Sequence, residues 1–490
     1  MNLTVGIIAR EEDELPPFGK QSIFFQDMIN ESKDLPVKVF VFSPINWEKD
    51  SDEIFGHQII GEGWVKTKRT IPNIIYDRFT AKAKGEREKY VDFRDYLVKT
   101  KREFTTPLSL VELLKDKVDF HKYLHAKNVA TLEAVILEEL TENTFWRFLE
   151  YNPTLYIKPI SGSNGAGIAI FEKHHEKGIF REQSKTTEMP LDQCYNFLKS
   201  NFNNSSFFVQ PKAKVIDFEG KPYDIRILIQ NYGKSNYQIT GQGVRVGEKG
   251  NWISNISAGG GALPLDVLER SLKKYDIDFS NEVKKMEKMC IDCTLALHER
   301  FGDFAEIAFD ILLTTDKGPI ILEGNSKPAR WIFNLLADNF EQSSPQYQKY
   351  QEIRRLSVKL PLIFINTIYK NKMENFELTI DAVDQQLSII ETADLQNWLK
   401  IQKINGLRVE RKQGEIENDR MGGFIETALV LTIIARPVLI ELVKSLSVWF
   451  AERKPKASVK ITNAEGKTIE FSGENLPNIE KTVEKFLTQE

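Results

Sequence analysis

Seven strand-like segments between residues 155 and 325 constrain the fold of this chain more than any other feature of its sequence. They are short, rich in β-branched and aromatic residues, and separated by glycine-containing turns. The segments are LYIKPI, IAIFEK, FFVQPKAKV, YDIRILIQNY, QITGQGVRV, FAEIAFDILLT and PIILEGN. A mainly antiparallel α+β unit is the simplest interpretation of this pattern.

The N-terminal region has a different pattern. Apolar runs at residues 3–9, 37–44 and 71–79 alternate with polar stretches that are compatible with helices. This alternation predicts a small α/β domain over residues 1–105. Because 490 residues exceed what a single hydrophobic core usually supports, we expect several packed units and a multidomain α/β and α+β protein.

The composition changes again toward the C-terminus. We expect a separate α+β module over residues 376–490, with an apolar helical segment at 423–450. Glu426, Arg436 and Pro437 interrupt that segment. The nine residues between the two charges are fewer than the roughly 20 needed to cross a bilayer. We therefore favour a buried helix pair or an oligomer interface over a membrane span.

Charge and cysteine content narrow the classes of function. A net charge of −4 predicts no broad attraction to nucleic acid. Three cysteines are too few and too unevenly placed for a disulfide framework, which is typical of a reducing compartment. The N-terminal sequence MNLTVGIIAREEDE lacks the basic start and long apolar stretch of a secretory signal, so we expect a cytoplasmic protein.

A glycine-rich loop follows the predicted strand that ends at Lys158. Gly162, Gly165 and Gly167 lie between this strand and the next one. Glycines let backbone N–H groups approach phosphate oxygens closely, which favours a phosphate-binding loop. An ordinary glycine hairpin is the alternative. A Walker A loop is excluded because no Lys-Ser or Lys-Thr follows the glycines.

Oxygen-bearing side chains lie on two predicted neighbouring strands. Asp310 is on the first, and Glu323 and Asn325 share one face of the second. Carboxylate and amide oxygens that converge in this way suit Mg²⁺. A solvated sheet face is the alternative, but the apolar flanking residues make an unpaired acid costly there.

Two arginines lie between these elements in the sequence. Asp224 and Arg226 share a strand face, and Arg245 and Asn255 follow in the next segments. Arginines that face a phosphate site would stabilise charge during phosphoryl transfer. A cross-strand ion pair is the alternative at this point.

The cysteines and histidines form no convincing site. Cys290 and Cys293 belong to CIDC in a predicted helix, and no second CxxC exists, so we expect both to be core thiols. The six histidines, among them His121 and His125, form no metal or nucleophile set. We assign them no role.

The order of these motifs resembles the ATP-grasp superfamily, and within it the YheC/YheD-like branch of endospore coat-associated proteins. The resemblance covers about residues 1–345. Its motifs are YDRF (76–79), DK (116–117), YIKP (156–159), YDIR (223–226), the stretch GVRVGEKGNWISNISAGGG and EGNSKP (323–328). It implies a pre-ATP-grasp domain at 1–105 and an ATP-grasp domain at 106–370, whose two α+β lobes hold MgATP.

The resemblance also implies roles for individual residues. Those assigned to ATP are Lys117 and Lys158 on the phosphates, Ser161, Gly162, Ser163, Asn164, Gly165 and Gly167 in a lid, and Gln210 near adenine. Those assigned to magnesium are Asp310, Glu323 and Asn325. Those assigned to catalysis are Arg226, Arg245, Asp224, Asn255 and Lys327. One departure is Gly324, where many relatives have a branched residue.

The implied reaction is the ligation of a carboxylate to an amine, on small molecules, a peptide or a protein. The carboxylate attacks the γ-phosphate, and the amine then displaces phosphate from the acyl phosphate. The protein supplies positioning and positive charge, the terms that dominate phosphoryl transfer. A non-catalytic ATP-binding assembly module and an ATP-grasp kinase are the alternatives.

The C-terminal module resembles a second family, the effector-associated constant component of predicted bacterial conflict systems. The matching features are the helix around Trp398, MGGFIETALVL, LSVWFAERK and the hairpin KITNAEGKTIEF. An amphipathic helix is predicted at NIEKTVEKFL. The resemblance implies an adaptor for partner proteins or self-association, which would couple the ligase to an antiphage response.

Overall fold

The structure is a computed structural model in which part of the chain is described. The described residues are 3–61, 63–162, 167–182, 185–202, 206–249, 260–371, 374–402, 404, 407–411, 428–433, 436–463 and 466–472. These described residues form four sheets with helices packed on their faces, in chain order from the N-terminal sheet to the C-terminal sheet.

The N-terminal sheet has a parallel part and an antiparallel edge. Its strands are β1 (Leu3–Ile8), β2 (Val37–Phe42), β3 (Glu53–Ile60), β4 (Gly63–Thr70), β5 (Ile74–Asp77) and β6 (Glu103–Phe104), in the order β4-β3-β2-β1-β5-β6. Its helices are α1 (Ser22–Ser32) and α2 (Lys84–Lys99). The predicted apolar runs are β1, β2 and β5, which pair in parallel. The β3–β4 hairpin was not predicted.

The second sheet follows the N-terminal sheet in sequence and has six described strands. Its strands are β7 (Val135–Ile136), β8 (Thr154–Pro159), β9 (Ala169–His174), β10 (Lys177–Glu182), β11 (Lys185–Pro190) and β12 (Phe207–Pro211), in the order β11-β10-β9-β8-β12-β7. The helices nearby are α3 (Leu108–Lys115), α4 (Lys117–Ala126), α5 (Glu142–Tyr151) and α6 (Cys194–Asn201). All described pairings in this sheet are antiparallel, as predicted.

The third sheet has five described strands and is also antiparallel. Its strands are β13 (Tyr223–Asn231), β14 (Tyr237–Val246), β15 (Gly261–Leu263), β16 (Glu306–Thr314) and β17 (Gly318–Asn325), in the order β15-β14-β13-β16-β17. Its helices are α7 (Glu269–Lys273), α8 (Phe279–Phe301), α9 (Trp331–Ala337) and α10 (Pro345–Asn371).

Alternation along β13 explains why helices cover both faces of the third sheet. Ile225 and Ile227 pack in one cluster with Cys290 and Cys293 of α8. Leu228 points the other way and packs in a cluster with residues of α9. Both cysteines are buried and free, which confirms that they are core thiols.

Helix α10 joins the third sheet to the N-terminal sheet. Val358, Leu362 and Ile365 of α10 pack in the same buried cluster as Val5 and Val39 of β1 and β2. The two parts of the chain therefore share one hydrophobic core, although they are separated by about three hundred residues of sequence.

The C-terminal sheet is separate from these layers and has its own core. Its strands are β18 (Glu374–Ala382), β19 (Leu407–Arg411), β20 (Ala428–Ile433), β21 (Ala457–Asn463) and β22 (Thr468–Ser472), in the order β19-β20-β18-β21-β22. Its helices are α11 (Gln385–Gln402) and α12 (Arg436–Arg453). The predicted hairpin is the antiparallel pair β21–β22.

The predicted helix pair at residues 423–450 is wrong for its first half. Residues 428–433 form β20, which pairs with both β18 and β19. Among the described residues of this segment, those from 436 onward are helical, and Pro437 lies in the first turn of α12, where a missing N–H costs little. A short continuous apolar run fits a central strand as well as a buried helix, so the sequence did not separate the two.

The apolar helices in the described part of the chain fall short of what a bilayer crossing requires. The amphipathic helix predicted at residues 478–487 lies outside the described residues.

A buried carboxylate also links the N-terminal sheet to the third sheet. Glu306, at the start of β16, is fully buried and accepts hydrogen bonds from Tyr76 Oη at 2.6 Å and Gln230 Nε2 at 2.9 Å. It forms ion pairs with Arg330 and with Arg78, whose Nη1 lies 3.5 Å away. Burial, and then the Glu306 charge, raise the pKa of Tyr76, which keeps its hydroxyl a donor.

We predict that Glu306→Gln destabilises the whole protein. The amide cannot neutralise Arg330 and Arg78, which are both buried, and breaking a buried pair costs about 3–5 kcal/mol. Calorimetry should record a lower unfolding temperature. Glu176→Gln, at an exposed turn, is the control and should unfold like the wild type. Equal unfolding temperatures for the two variants would contradict the structural role of Glu306.

Candidate functional site

A large cleft lies between the second and third sheets and extends along α2 and α3. Its volume is about 1730 Å³, above the roughly 300–1,000 Å³ of an ordinary small-molecule pocket. Lys158 and Gln210 line it from the second sheet, and Arg226, Asp310 and Glu323 line it from the third. The cleft therefore has room for more than one ligand.

The cleft wall is positively charged although the chain as a whole has a net charge of −4. Among the described residues, its cationic side chains are Arg87, Arg94, Lys115, Lys117, Lys158, Lys212, Lys214, Lys221, Arg226, Arg245 and Lys327. Its carboxylates are Asp95, Glu112, Glu172, Asp217, Asp224, Asp310 and Glu323. A cleft lined in excess by one sign of charge concentrates ligands of the other sign, so this one favours anions.

The structure brings the two predicted phosphate lysines to this cleft. Lys158 Nζ, on β8, donates to Gln210 Oε1 at 3.0 Å and lies 5.0 Å from the centre of the Tyr156 ring. Lys117 is the first residue of α4, and its Nζ is 3.7 Å from Glu323 Oε2. Burial, and then the neighbouring Lys117 charge, lower the pKa of Lys158 to about 8. An anion between the two ammonium groups would relieve their repulsion.

Asp310 and Glu323 face each other across the β16–β17 pair, where a register shift follows Asp310. Burial, and then the Asp310 charge, raise the pKa of Glu323. Burial acts to raise the pKa of Asp310 as well, but Arg226 and Arg245 outweigh it and hold that pKa at about 2. The raised pKa of Glu323 is the mark of two carboxylates that share a site without enough positive charge between them.

The donor atoms at this position fit a magnesium ion. Asn325 is two residues beyond Glu323 on β17 and also lines the cleft; its Oδ1 accepts from the backbone N–H of Lys327 at 2.8 Å. The donors of Asp310, Glu323 and Asn325 are all oxygens, and a divalent cation would offset the repulsion of the carboxylates. No cluster of three histidine, cysteine or acidic ligands occurs in the described part of the chain. Such an ion would take its other ligands from phosphate and water.

The two arginines are engaged in ion pairs. Arg226 donates from Nε to Asp310 Oδ1 at 2.5 Å and from Nη2 to Asp310 Oδ2 at 3.1 Å. Arg245 donates from Nε to Asp224 Oδ1 and from Nη2 to Asp310 Oδ2, each at 2.6 Å. Arg226 and Asp310 are direct partners in the strand register, as are Arg245 and Asp224, whereas the Arg245–Asp310 bond reaches across β13. The cross-strand ion pair, left open as an alternative from sequence, is therefore present, and both arginines still line the cleft.

Lys327 lies at the cleft but its ammonium group contacts the N-terminal sheet. Its Nζ donates to Asp77 Oδ2 at 2.8 Å and to the Phe79 carbonyl at 2.9 Å. Tyr90 Oη donates to the same Asp77 oxygen at 2.5 Å. The loop after β17 is thereby attached to the YDRF motif, a contact that the sequence did not reveal.

The remaining predicted residues are divided between the cleft edge and the undescribed part of the chain. Ser161 and Gly162 line the cleft, and Gly167 follows at a φ of 75°, where an added Cβ would lie 3.1 Å from Pro159 Cγ. The residues that lie outside the described part are Ser163, Asn164, Gly165 and Asn255.

Sequence reasoning missed His121. This histidine is buried in α4, lines the cleft, and has its Nε2 atom 3.2 Å from Gln210 Nε2. Its spacing was the available signal, because a residue four positions after Lys117 lies on the same face of a helix.

The family assignment follows from a sequence model that spans these elements. The model described as YheC/D like ATP-grasp matches residues 107–353, which is half of the chain. The chain belongs to the YheC/D-like ATP-grasp family. The match includes all of the cleft residues on the second and third sheets. A second model, described as Effector Associated Constant Component 1, matches residues 385–489.

The chain is similar to two curated proteins of Bacillus subtilis strain 168. Endospore coat-associated protein YheD is 25% identical over 334 residues, which are 65% of this chain and 70% of that protein. Endospore coat-associated protein YheC is 23% identical over 319 residues, 62% of this chain and 84% of that protein.

Solved structures of ATP-grasp enzymes are more distant from this chain. The D-alanine-D-alanine ligase from Coxiella burnetii superposes with a TM-score of 0.41 at 11% identity, over 76% of this chain and 97% of that one. A TM-score this low supports no inference about this chain.

Packing explains the glycine between Glu323 and Asn325, the two residues on β17 that the sequence predicts as metal ligands. A Cβ atom on Gly324 would lie 2.7 Å from Leu114 Cδ2 and 3.0 Å from Phe120 Cζ. Helices α3 and α4 therefore pack directly on the β17 backbone. This close approach places Lys117, at the start of α4, beside Glu323.

We predict that Gly324→Ala lowers stability, because the added methyl group forces α3 or α4 away from β17. Overpacking of this kind costs about 1–3 kcal/mol. Gly261→Ala, in the same sheet but with open space around the added Cβ, is the matched control. Thermal unfolding of the two variants is the measurement. If Gly324→Ala unfolds no earlier than Gly261→Ala, the packing explanation is wrong.

Proposed function

We propose that this protein is an ATP-dependent ligase that joins a carboxylate to an amine through an acyl phosphate. The observation that supports the proposal is the convergence of Lys117, Lys158, Asp310 and Glu323 on one cationic cleft in a member of an ATP-grasp family. The family model is described as ATP-grasp, and the charges in this cleft suit a magnesium-bound triphosphate.

In this proposal each group of residues has a distinct task. Lys117 and Lys158 bind the phosphates of ATP. Asp310, Glu323 and Asn325 hold magnesium, which when bound would neutralise phosphate charge. The glycine loop after β8 covers the nucleotide, and the rest of the large cleft admits the carboxylate and amine substrates.

The proposed reaction has two steps. A carboxylate oxygen forms a bond to the γ-phosphorus of ATP, and the bond to the β–γ bridging oxygen breaks to release ADP. The amine nitrogen then attacks the acyl carbon, and inorganic phosphate leaves with the carboxylate oxygen. Arg226 and Arg245 lie at the cleft wall, where their charge would stabilise the transferred phosphoryl group.

A second candidate function is a non-catalytic ATP-binding module that controls assembly. Two observations favour it: both arginines are already neutralised by Asp224 and Asp310, and the C-terminal region matches the Effector Associated Constant Component 1 model. The same match supports our proposal that the C-terminal module couples the protein to partners in a bacterial conflict or antiphage system.

We predict that ADP release in the presence of a suitable acceptor requires the cleft residues. Lys158→Ala and Glu323→Gln should each lower the rate on the order of 100-fold, because each removes a charge that stabilises the transition state. Lys173→Ala, at an exposed position of β9 away from the cleft wall, is the control and should turn over normally. Unchanged ADP release in both cleft variants would rule out this site.

The product distinguishes the candidate reactions. Hydroxylamine added during turnover should trap the acyl phosphate as a hydroxamate, and mass spectrometry without it should find an amide. A stable phosphoester would indicate a kinase. Tight ATP binding with no acceptor-dependent ADP would indicate the assembly module.

We also predict that affinity for MgADP weakens as pH rises through about 8, because the pKa of Lys158 is lowered to that value in the free protein. Above it the side chain loses the charge that attracts phosphate. Lys117 and Glu323 are the other charged groups near this ammonium. Titration calorimetry between pH 7 and 9.5 measures the effect. Lys158→Arg keeps its charge throughout and should lose the pH dependence; an unaltered profile would contradict the assignment.

A further inference from the structure

A chain of side-chain hydrogen bonds runs from the cleft into the protein behind Lys158. Lys158 Nζ donates to Gln210 Oε1 at 3.0 Å, and Gln210 Nε2 lies 3.2 Å from His121 Nε2. His121 Nδ1 is 2.6 Å from Thr131 Oγ1, which donates to the Ile321 carbonyl at 2.8 Å. This hydrogen-bond chain passes from β8 to β12 and then to α4, and it ends on β17.

The donor and acceptor properties of the two end groups fix the direction of every hydrogen bond in this hydrogen-bond chain. The Ile321 carbonyl can only accept, so the Thr131 hydroxyl donates to it and accepts from His121 Nδ1–H. His121 Nε2 then has a lone pair and accepts from the Gln210 amide nitrogen. At the other end the Lys158 ammonium can only donate, so it takes the Gln210 oxygen. Rotating the Gln210 amide by half a turn would break both of its bonds.

His121 remains neutral in this position. It is 3% exposed, and burial, followed by the Lys158 charge, lowers its pKa to about 3. A charged imidazolium would have a hydrogen on both nitrogens and could not accept from Gln210. Burial therefore keeps His121 in the form that orients the glutamine.

The hydrogen-bond chain ends on β17, the strand that bears Glu323. Ile321 of β17 donates its N–H to the Ala130 carbonyl at 2.9 Å and accepts from Thr131, so both its backbone groups bind the same short segment. Glu323 lies two residues further along β17. The ammonium of Lys158 is thus held in a fixed relation to the strand of the candidate metal site.

We propose that His121 is a positioning residue for Lys158, and that Gln210 transmits this effect instead of contacting adenine. Gln210 is 1% exposed, and its oxygen and nitrogen are both engaged within the chain of bonds. This inference rests on the proposed function, because it assigns Lys158 to the phosphates of ATP. The inference gives His121 a role that the spacing of the sequence motifs did not predict.

The test compares two histidines on one helix. His121→Phe removes both bonding nitrogens, whereas His125→Phe makes the same change four residues later at an exposed position of α4. Calorimetric titration of each variant with MgADP between pH 7 and 9.5 gives the affinity and its pH midpoint. We expect His121→Phe to weaken binding roughly tenfold, the usual effect of losing an oriented hydrogen bond to a charge. His125→Phe should bind like the wild type.

The pH midpoint separates positioning from general damage to the fold. Without His121, the Gln210 oxygen is no longer held against the Lys158 ammonium, so the midpoint should move to lower pH. Gln210→Glu places a carboxylate there and should move the midpoint to higher pH, since an opposite charge favours the ammonium. Lys117 and Glu323 also face Lys158, and both variants leave them unchanged. Shifts in opposite directions cannot come from loss of structure alone.

The outcomes are distinguishable from failure of the proposed function. If the wild type does not bind MgADP, the function itself is wrong. If the wild type binds and His121→Phe changes neither affinity nor midpoint, the positioning role is wrong while the function stands. Shifts in the same direction for His121→Phe and Gln210→Glu would also overturn it.

Discussion

The site depends on one buried carboxylate, that of Asp310. A charge with almost no solvent contact is stable only when opposite charges and hydrogen bonds surround it, and here Arg226 and Arg245 supply three of those bonds. Strand register puts the three residues together, because β13 lies between β14 and β16. Glu323 lies on the neighbouring strand β17 and has no comparable set of cationic partners among the described residues. A cation bound beside the two carboxylates would therefore offset negative charge that is not fully compensated. In the proposed reaction these same arginines would meet the transferred phosphoryl group, and ligand binding would then compete with ion pairing at one position.

Much of the antiparallel framework could be predicted because its signals are local. β-branched segments and glycine turns mark the strands of the second and third sheets, and alternation places Glu323 and Asn325 together. The pairing of Asp310 with Glu323 followed from expecting their strands to be neighbours, and register confirms it. The meeting of Lys117 with Lys158 could not be derived that way. They lie on a helix and a strand, and only the resemblance to a family predicted that they share a cleft.

The errors and omissions have physical causes. The β3–β4 hairpin was missed because β4 is exposed along much of both faces and has no apolar alternation. Residues 428–433 were assigned to a helix because a central strand and a buried helix are both uniformly apolar. The four-residue spacing from Lys117 places His121 on the same face of α4, but no local pattern connects it to Gln210, which is 89 residues away in sequence. The sequence marks Gly324 only as a departure from the family pattern, whereas the structure shows that its missing side chain allows α3 and α4 to pack on β17.

The network around Glu306 has a consequence for what can fold independently. Tyr76 and Arg78 of the N-terminal sheet satisfy a carboxylate of the third sheet, and α10 contributes apolar side chains to the N-terminal core. A fragment cut at the limits of the family match, residues 107–353, would keep Glu306 and Arg330 but lose these partners and two thirds of α10. The segment that the family model matches is therefore shorter than the segment whose buried groups depend on one another in the fold.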